Sequence, residues 1–255
     1  MTPPSIVFDG VVKRYGDTVA LDGMSLAVHA GALTCLAGPN GAGKSTALAI
    51  LMGLRNPTSG DVRILGTSIS SRDIHRVRRN IGFMSEEPAL YDELTPREHL
   101  DFHSALRGQD DGPRVERLLR ELGLDDWADR PIGSLSMGNR RKVAFAAALL
   151  PEPDVLVLDE PTNGMDVAAA RIAKDHLRAA RDRGCVVLFT THVMELAESL
   201  ADEVAVLRDG RIVARDTPTK LREIEGRGSV TLEEAILDLT SRAPSTEGSS
   251  DGGRG

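Results

Sequence analysis

Apolar residues fall into two kinds of run along this chain, and their order outlines a fold. Leu33-Thr34-Cys35-Leu36-Ala37, Val155-Leu156-Val157-Leu158 and Val186 to Phe189 are short and nearly continuous, the pattern of parallel strands covered on both faces. Between the last two lies Val167 to Arg183, apolar at helical spacing and closed by Gly184. Helix and strand therefore alternate, as in a parallel α/β sheet. From Ile6 to Ala37 the pattern predicts short β-type segments broken by turns. After the turn Pro57-Thr58-Ser59-Gly60, the alternation at Val62 and Ile64 adds an outer strand. Thr46 to Leu54 predicts a helix ending near Gly53, Ile74 to Arg79 a basic amphipathic stretch, and Ile81 to Met84 a further strand.

The middle third changes period. Thr95-Pro96-Arg97-Glu98 combines a capping box with proline at the first helical position, and helical spacing persists through Val115, Leu118, Leu119 and Leu122 to Gly123. Leu135 to Asn139 then opens another helix, which runs through Leu150. An all-helical lobe is therefore inserted into a single α/β domain. Asp209-Gly210 marks a hairpin between Val204-Ala205-Val206-Leu207 and Ile212-Val213-Ala214, and Thr231 to Leu239 a last helix with Thr231 and Glu234 at capping-box spacing. Beyond Ser241 a Ser, Gly and Pro-rich tail offers little to bury, and disorder is expected there.

Composition narrows the function classes. With 255 residues, 41% hydrophobic and 27% charged, the chain has enough material for one large core. A net charge of -7 disfavours a sequence-independent grip on nucleic acid, and an aromatic share of 3% argues against base-stacking platforms. Cys35 and Cys185 lie in apolar strand-like runs and read as buried thiols of a reducing compartment, with no disulfide or zinc framework. No segment approaches the roughly 20 apolar residues of a membrane span, and Met1 to Ser5 do not open a signal peptide. Any membrane role is expected to come through a partner.

Two patterns carry chemistry. Gly38-Pro39-Asn40-Gly41-Ala42-Gly43-Lys44-Ser45-Thr46 lies between a strand and a helix, where backbone N–H groups converge on phosphates and the helix N-terminus adds about half a positive charge. Lys44 is expected to reach the β- and γ-phosphates of ATP, the Ser45 hydroxyl to ligate Mg²⁺, and Thr46 to hold the α- or β-phosphate. Asp159-Glu160 ends the run Val155 to Leu158, at the carboxyl edge of the sheet where such folds bind ligands. Asp159 suits Mg²⁺, through water, and Glu160 suits the orientation or deprotonation of a water attacking the γ-phosphate. An acidic pair of this kind, taken alone, also fits a solvated strand end.

Leu135-Ser136-Met137-Gly138-Asn139 completes a larger pattern. Together with the glycine loop, Val155 to Glu160, Pro161-Thr162-Asn163-Gly164-Met165-Asp166 and Thr190-Thr191-His192, in this order, it resembles the ABC ATPase family over roughly Ile6 to Leu221. The resemblance implies a P-loop ABC ATPase core, a mostly parallel sheet flanked by helices, with an N-terminal antiparallel β subdomain and an inserted α-helical subdomain. It divides the chain into the first part of the ATP-binding core with the β subdomain (1–85), the helical subdomain with the signature motif (86–152), the second part of the core (153–222), a C-terminal extension (223–241) and the tail (242–255). It further implies a head-to-tail dimer, homomeric or heteromeric, in which Ser136 and the N–H groups around Gly138 meet the γ-phosphate of ATP held by the other subunit. Asp166 would lie in a loop communicating across that dimer, and His192, otherwise an ordinary strand-end histidine, would sense the γ-phosphate. Tyr15 would stack on adenine, with Val19 padding the same base; an exposed β-edge tyrosine is the plain alternative.

Two positions depart from the family pattern. Glu86 stands where the family has a glutamine; its carboxylate can hold Mg²⁺ or the attacking water but adds negative charge beside the triphosphate. Met137 replaces the first glycine of the signature and Asn139 its glutamine, while Ser136 and Gly138 are kept. The implied function is ATP hydrolysis that drives a separate transmembrane permease subunit from the cytoplasmic face of the membrane. A docking surface is expected around Glu86 to Tyr91 and on to Arg107. The helix at Val230 to Leu237 resembles the extension of drug, antibiotic or peptide exporter subunits, which favours export. The alternative is a soluble, non-transport ABC ATPase of translation or DNA repair. Such proteins usually carry two of these units or a long coiled coil between the motifs, and Lys44 and Ser136 are too close for the latter. A small-molecule kinase would leave Ser136 and His192 unexplained.

Overall fold

The computed structural model describes residues 5–109, 111–223 and 230–241; the tail from 242 onward and the first four residues lie outside them. In chain order the strands are β1 (Ile6–Tyr15), β2 (Thr18–Val28), β3 (Leu33–Ala37), β4 (Ser59–Ile64), β5 (Thr67–Ser68), β6 (Ile81–Met84), β7 (Val155–Asp159), β8 (Val186–Thr190), β9 (Glu203–Arg208) and β10 (Arg211–Asp216). The helices are α1 (Lys44–Leu51), α2 (Ile74–Arg78), α3 (Pro96–Leu106), α4 (Gly112–Glu121), α5 (Met137–Leu149), α6 (Val167–Asp182), α7 (Met194–Leu200), α8 (Pro218–Glu223) and α9 (Leu232–Ser241).

The strands form two sheets. One, ordered β2-β1-β4-β5, is antiparallel; the other, ordered β10-β9-β3-β8-β7-β6, is parallel apart from β10, which turns back along β9. Side chains of the parallel strands alternate between two cores, as a two-residue period demands. Leu156, Leu158, Val187 and Phe189 face the cluster that includes α3 to α6, while Val155, Val157, Val186 and Leu188 face the one that includes α1 and the antiparallel sheet. All eight are essentially inaccessible to solvent. Burying a side chain of this size contributes about 1.5–3 kcal/mol relative to exposure, so the centre of this sheet is the stable frame from which the loops at its carboxyl edge project.

The local signals hold where chemistry decides them. Thr95 accepts from the Glu98 N–H and Glu98 returns to the Thr95 N–H, a complete capping box; Thr231 and Glu234 repeat it at α9. Asp209 and Gly210, with φ of 48° and 74°, turn β9 into β10. Two expectations need correcting. β1 and β2 are long strands of 10 and 11 residues, not short pieces, because bulges between Phe8 and Val11 absorb the polar residues that read as breaks. The loop helix α1 starts at Lys44, two residues before expectation, since Gly43 already serves as its cap, and it ends at Leu51. The basic stretch expected over Ile74 to Arg79 is the five-residue α2, with Ile74 as its single buried residue.

Candidate functional site

β3 leads into the glycine loop and the loop into α1, so the first N–H groups of the helix face the carboxyl edge of the sheet. Gly43 has φ 109°, and a Cβ there would lie 2.5 Å from the Ala20 carbonyl oxygen; a Cβ on Gly38 would lie 2.2 Å from that of Leu207. Only glycine fits at either place, and the loop is consequently wedged between β2 and β9. The Gly210 N–H donates to the Ala42 carbonyl at 3.0 Å, which fastens the loop to the β9–β10 hairpin. Lys44 lies across its own loop, its Nζ donating to the carbonyls of Gly38 and Pro39 at 2.7 and 3.1 Å.

Above the loop opens a cleft of about 440 Å³ lined by Ala20, Asn40, Gly41, Gly43, Lys44, Ser45, Thr46, Glu86, Asp159, Glu160 and His192. The structure thus gathers the glycine loop, the acidic pair and the strand-end histidine, which lie far apart in the chain, around one space. Asp159 and Glu160 are buried, at 8% and 6% exposure, yet both reach it. Glu160 has φ 53°, a left-handed conformation that is strained for a residue with a side chain. Its backbone N–H bonds the Thr190 carbonyl and hydroxyl, both at 3.2 Å. The same hydroxyl donates to Asp159 Oδ1, and Asp159 and Thr190 are direct partners in the β7–β8 ladder. Thr190 therefore clamps both acidic residues from the neighbouring strand. On the open side, His192 Nδ1 lies 2.9 Å from Glu160 Oε1, with the imidazole largely exposed and the carboxylate largely covered.

Other residues singled out from the sequence lie elsewhere. Tyr15 and Val19 do not line the cleft; Ala20 does. The Tyr15 ring is exposed at the end of β1, with Lys13 Nζ 4.9 Å from its centroid. Ser136 is an exposed N-cap of α5 and accepts from the Asn139 N–H at 3.3 Å; Met137 beside it is 69% exposed. Gly138 follows in the first turn, so close to the loop after β7 that a Cβ would lie 2.8 Å from the Gly164 carbonyl oxygen. Asp166 caps α6, and the Ala169 N–H, above all, holds its carboxyl below the usual carboxylate range. Cys35 and Cys185 are free and buried. Burial, with the Glu160 carboxylate adding to it, pushes the Cys35 thiol far up, and burial pushes Cys185 up to about 11, so both are inert packing groups.

A separate feature flanks β6 and α3. Phe83, Met84, Pro88, Leu90, His99, His103 and their neighbours line a cavity of about 210 Å³. Tyr91, Phe102 and Leu106 are exposed nearby, Tyr91 and Phe102 meeting edge to face at 5.6 Å. His99 is buried with Nδ1 unpaired, and burial lowers its pKa to about 4.

Two residues in this architecture were given no role by the sequence reading. Thr190 opens the Thr190-Thr191-His192 motif and closes an apolar run, and its clamp on the acidic pair emerges only from the pairing of β8 with β7. Arg141 had a legible signal: it precedes Phe145 and Ala148 by four and seven residues, which places it on the buried face of α5, where it is 4% exposed.

Comparison with known proteins identifies the arrangement. The ABC transporter family model matches residues 21–163. The Nod factor export ATP-binding protein I of Burkholderia orbicola is 40% identical over 228 residues, 88% of this chain and 75% of that one. The daunorubicin resistance ATP-binding protein DrrA3 of Streptomyces coeruleorubidus is 37% identical over 240 residues, 92% and 76% of the two chains. Among solved structures, an ATP-binding subunit of an ABC transporter superposes with a TM-score of 0.85 at 29% identity, over 93% of this chain and 99% of that one. A dimeric ATP-binding cassette in a post-hydrolysis state, bound to ADP and Pi, matches with a TM-score of 0.76 at 25% identity, over 83% and 98%.

Proposed function

This chain belongs to the ABC transporter family of ATP-binding subunits, and from that premise we propose that its cleft is one half of an ATP-hydrolysing site that drives export through a separate membrane subunit. The chain is an ATPase subunit with the P-loop cassette fold. The observation that carries the finer reading is the convergence of Lys44, Asp159, Glu160 and His192 on one cleft. In that reading the loop N–H groups of Asn40 to Ser45 cradle the phosphates, Lys44 leaves its loop carbonyls for the β- and γ-phosphate oxygens, and Thr46 supports the α- or β-phosphate.

The donor set also fits Mg²⁺. No group of three or more His, Cys, Asp or Glu side chains suited to a metal occurs among the described residues, but Mg²⁺ takes one or two protein oxygens and completes its shell with water and phosphate. Ser45 and Asp159 supply such oxygens, with Glu86 beside them, and the bound ion would neutralise charge on the phosphates. Thr190 holds Asp159 still for that task. Glu160, largely covered and fixed by the Thr190 clamp, orients the attacking water and accepts its proton; His192 holds the open side of the carboxylate and senses the γ-phosphate.

The second half of the site comes from another subunit. Ser136 and the N–H groups around Gly138 are presented outward at the start of α5, where they meet the γ-phosphate in the cleft of a partner copy or paralogue. Tyr15, at the end of β1, and Val19, in β2 next to the cleft-lining Ala20, take the adenine. No helix among the described residues is long and apolar enough to cross a membrane. The exposed apolar residues Tyr91, Phe102 and Leu106 with the adjoining cavity form the docking surface for a cytoplasmic segment of the membrane subunit, at the cytoplasmic face. Export follows from the relatives named for Nod factor export and daunorubicin resistance.

The test is Glu160→Gln. The substitution keeps shape and hydrogen bonding but removes the base, so ATP still binds while hydrolysis falls by about 10²–10⁴-fold, and an ATP-bound dimer accumulates on gel filtration. Wild-type turnover in this variant would remove Glu160 from the role.

A further inference from the structure

Arg141 has no task in the reading above, yet it is among the most buried charged side chains. Its guanidinium reaches three backbone carbonyls and no carboxylate among the described residues: Nε donates to Asn163, Nη1 to Glu86 at 2.5 Å and Nη2 to Glu160 at 3.4 Å. These oxygens belong to three segments at the carboxyl edge of the sheet, namely the loop after β6, the strained residue that ends β7 and the loop leading to the Asp166 cap. A buried cation without a counter-ion is costly unless its donors are satisfied. The planar guanidinium fork meets that demand by holding several acceptors at fixed angles, which a lysine ammonium does not do.

Geometry gives this junction a direction. Arg141 lies on α5 little more than one turn after Ser136, so a shift of the exposed end of α5 carries the guanidinium with it. Gly138 is in near contact with the Gly164 carbonyl, which leaves α5 and the loop after β7 no room to slide independently. The Glu160 peptide is held on one side by the Thr190 clamp through its N–H and on the other by Arg141 through its carbonyl. Displacing one anchor rotates a left-handed residue whose carboxylate lines the cleft.

We propose that Arg141 is a positioning residue that links the Ser136 end of α5 to the orientation of Glu160 in the same chain. Resting on the two-subunit reading above, it makes contact of Ser136 with one nucleotide set the readiness of Glu160 at the other, so that the two hydrolytic sites of a dimer act cooperatively.

The experiment compares ATP hydrolysis and MgATP binding by the full chain, Arg141→Gln, Arg141→Lys and Glu160→Gln. Turnover of Arg141→Gln should fall about ten- to a hundredfold, the loss expected of a misplaced catalytic group, while monomer affinity for MgATP stays within about twofold and the Hill coefficient drops from near 2 toward about 1. If Arg141→Gln does not fold, Arg141→Lys, which keeps the charge but not the fork, carries the same test. Parent-like turnover and Hill coefficient in a folded variant overturn the proposal, as does a loss of MgATP affinity parallel to the loss of turnover, which would mean that Arg141 only shapes the cleft. Hydrolysis by the parent that Glu160→Gln abolishes sustains the functional reading whichever way Arg141 behaves; a parent that hydrolyses ATP without cooperativity undoes the two-subunit reading and this proposal together.

Discussion

The glycine-loop cleft and the outer end of α5 are both built at helix N-termini, and they differ in almost everything else. The cleft draws all of its walls from one chain: its loop is wedged between β2 and β9, its acidic pair is buried, Thr190 holds both of those residues and His192 lies against Glu160. The α5 end is open, with Ser136 and Met137 exposed and the serine hydroxyl occupied only in capping its own helix. In the function proposed above, rigidity is built where chemistry must be positioned, and exposure is kept where a second subunit enters. On that proposal the same N–H-rich geometry binds phosphate in one case among its own neighbours and in the other only with a partner's ligand.

Substitutions at the two ends should separate them. Lys44→Ala removes a charge-assisted phosphate contact worth roughly 3 kcal/mol, so ATP affinity of the isolated chain should fall about a hundredfold, measured by titration with a fluorescent nucleotide. Ser136→Asp keeps a good helix cap but sets a carboxylate against phosphate; affinity of one chain should stay within about twofold while hydrolysis falls about tenfold or more. Equal losses of affinity in both variants would erase the distinction. Thr190→Val keeps the shape of the clamp but strips Asp159 and the Glu160 N–H of a shared partner, and urea unfolding should show about 1–3 kcal/mol of lost stability together with weaker Mg²⁺ dependence of turnover.

Acid gives the smallest effect and the most local one. The imidazole of His99 is buried neutral with a pKa of about 4, whereas an unfolded chain protonates it near 6.5. Its contribution is therefore intact above about pH 6.5 and is lost progressively as pH falls toward about 4, where the unfolded chain binds more protons. His103, 4.6 Å away by ring centroids, is shifted down by burial and by Arg107, and adds in the same direction. Hydrogen-exchange protection, measured relative to the intrinsic rate at each pH, should fall across this window in α3 before it does in β7 or β8. A uniform fall would mean that the helical lobe and the sheet share one unfolding unit.

Much of this architecture was legible in the sequence because it is local. The strand-loop-helix at Gly38 to Thr46, the buried runs of β3, β7 and β8, the capping boxes at Thr95 and Thr231 and the Asp209-Gly210 turn all announce themselves within a few residues. What stayed hidden depends on pairing between distant segments. Nothing near Leu33 says that β3 lies between β8 and β9, and hence nothing near Asp159 says that Thr190 faces it. Arg141 read as one of three basic residues before an apolar run; only the helical wheel hinted that it points inward, and its three carbonyl partners could not be inferred. Tyr15 and Val19 were named through resemblance; neither lines the cleft, whereas Ala20, next to Val19 in β2, does.

The fastening of the glycine loop to the β9–β10 hairpin sets a timetable for synthesis. β3 leaves the ribosome early, yet its neighbours β8 and β9 and the Gly210 N–H that pins Ala42 are made more than half a chain later. Until then β3 lacks both of its strand neighbours and the loop has only the β2 side of its wedge, so a nascent chain stopped before the hairpin is a client for chaperones, not an ATP binder. Nucleotide can act as a seal on the finished product, stabilising it by mass action only once the last strands have closed the sheet.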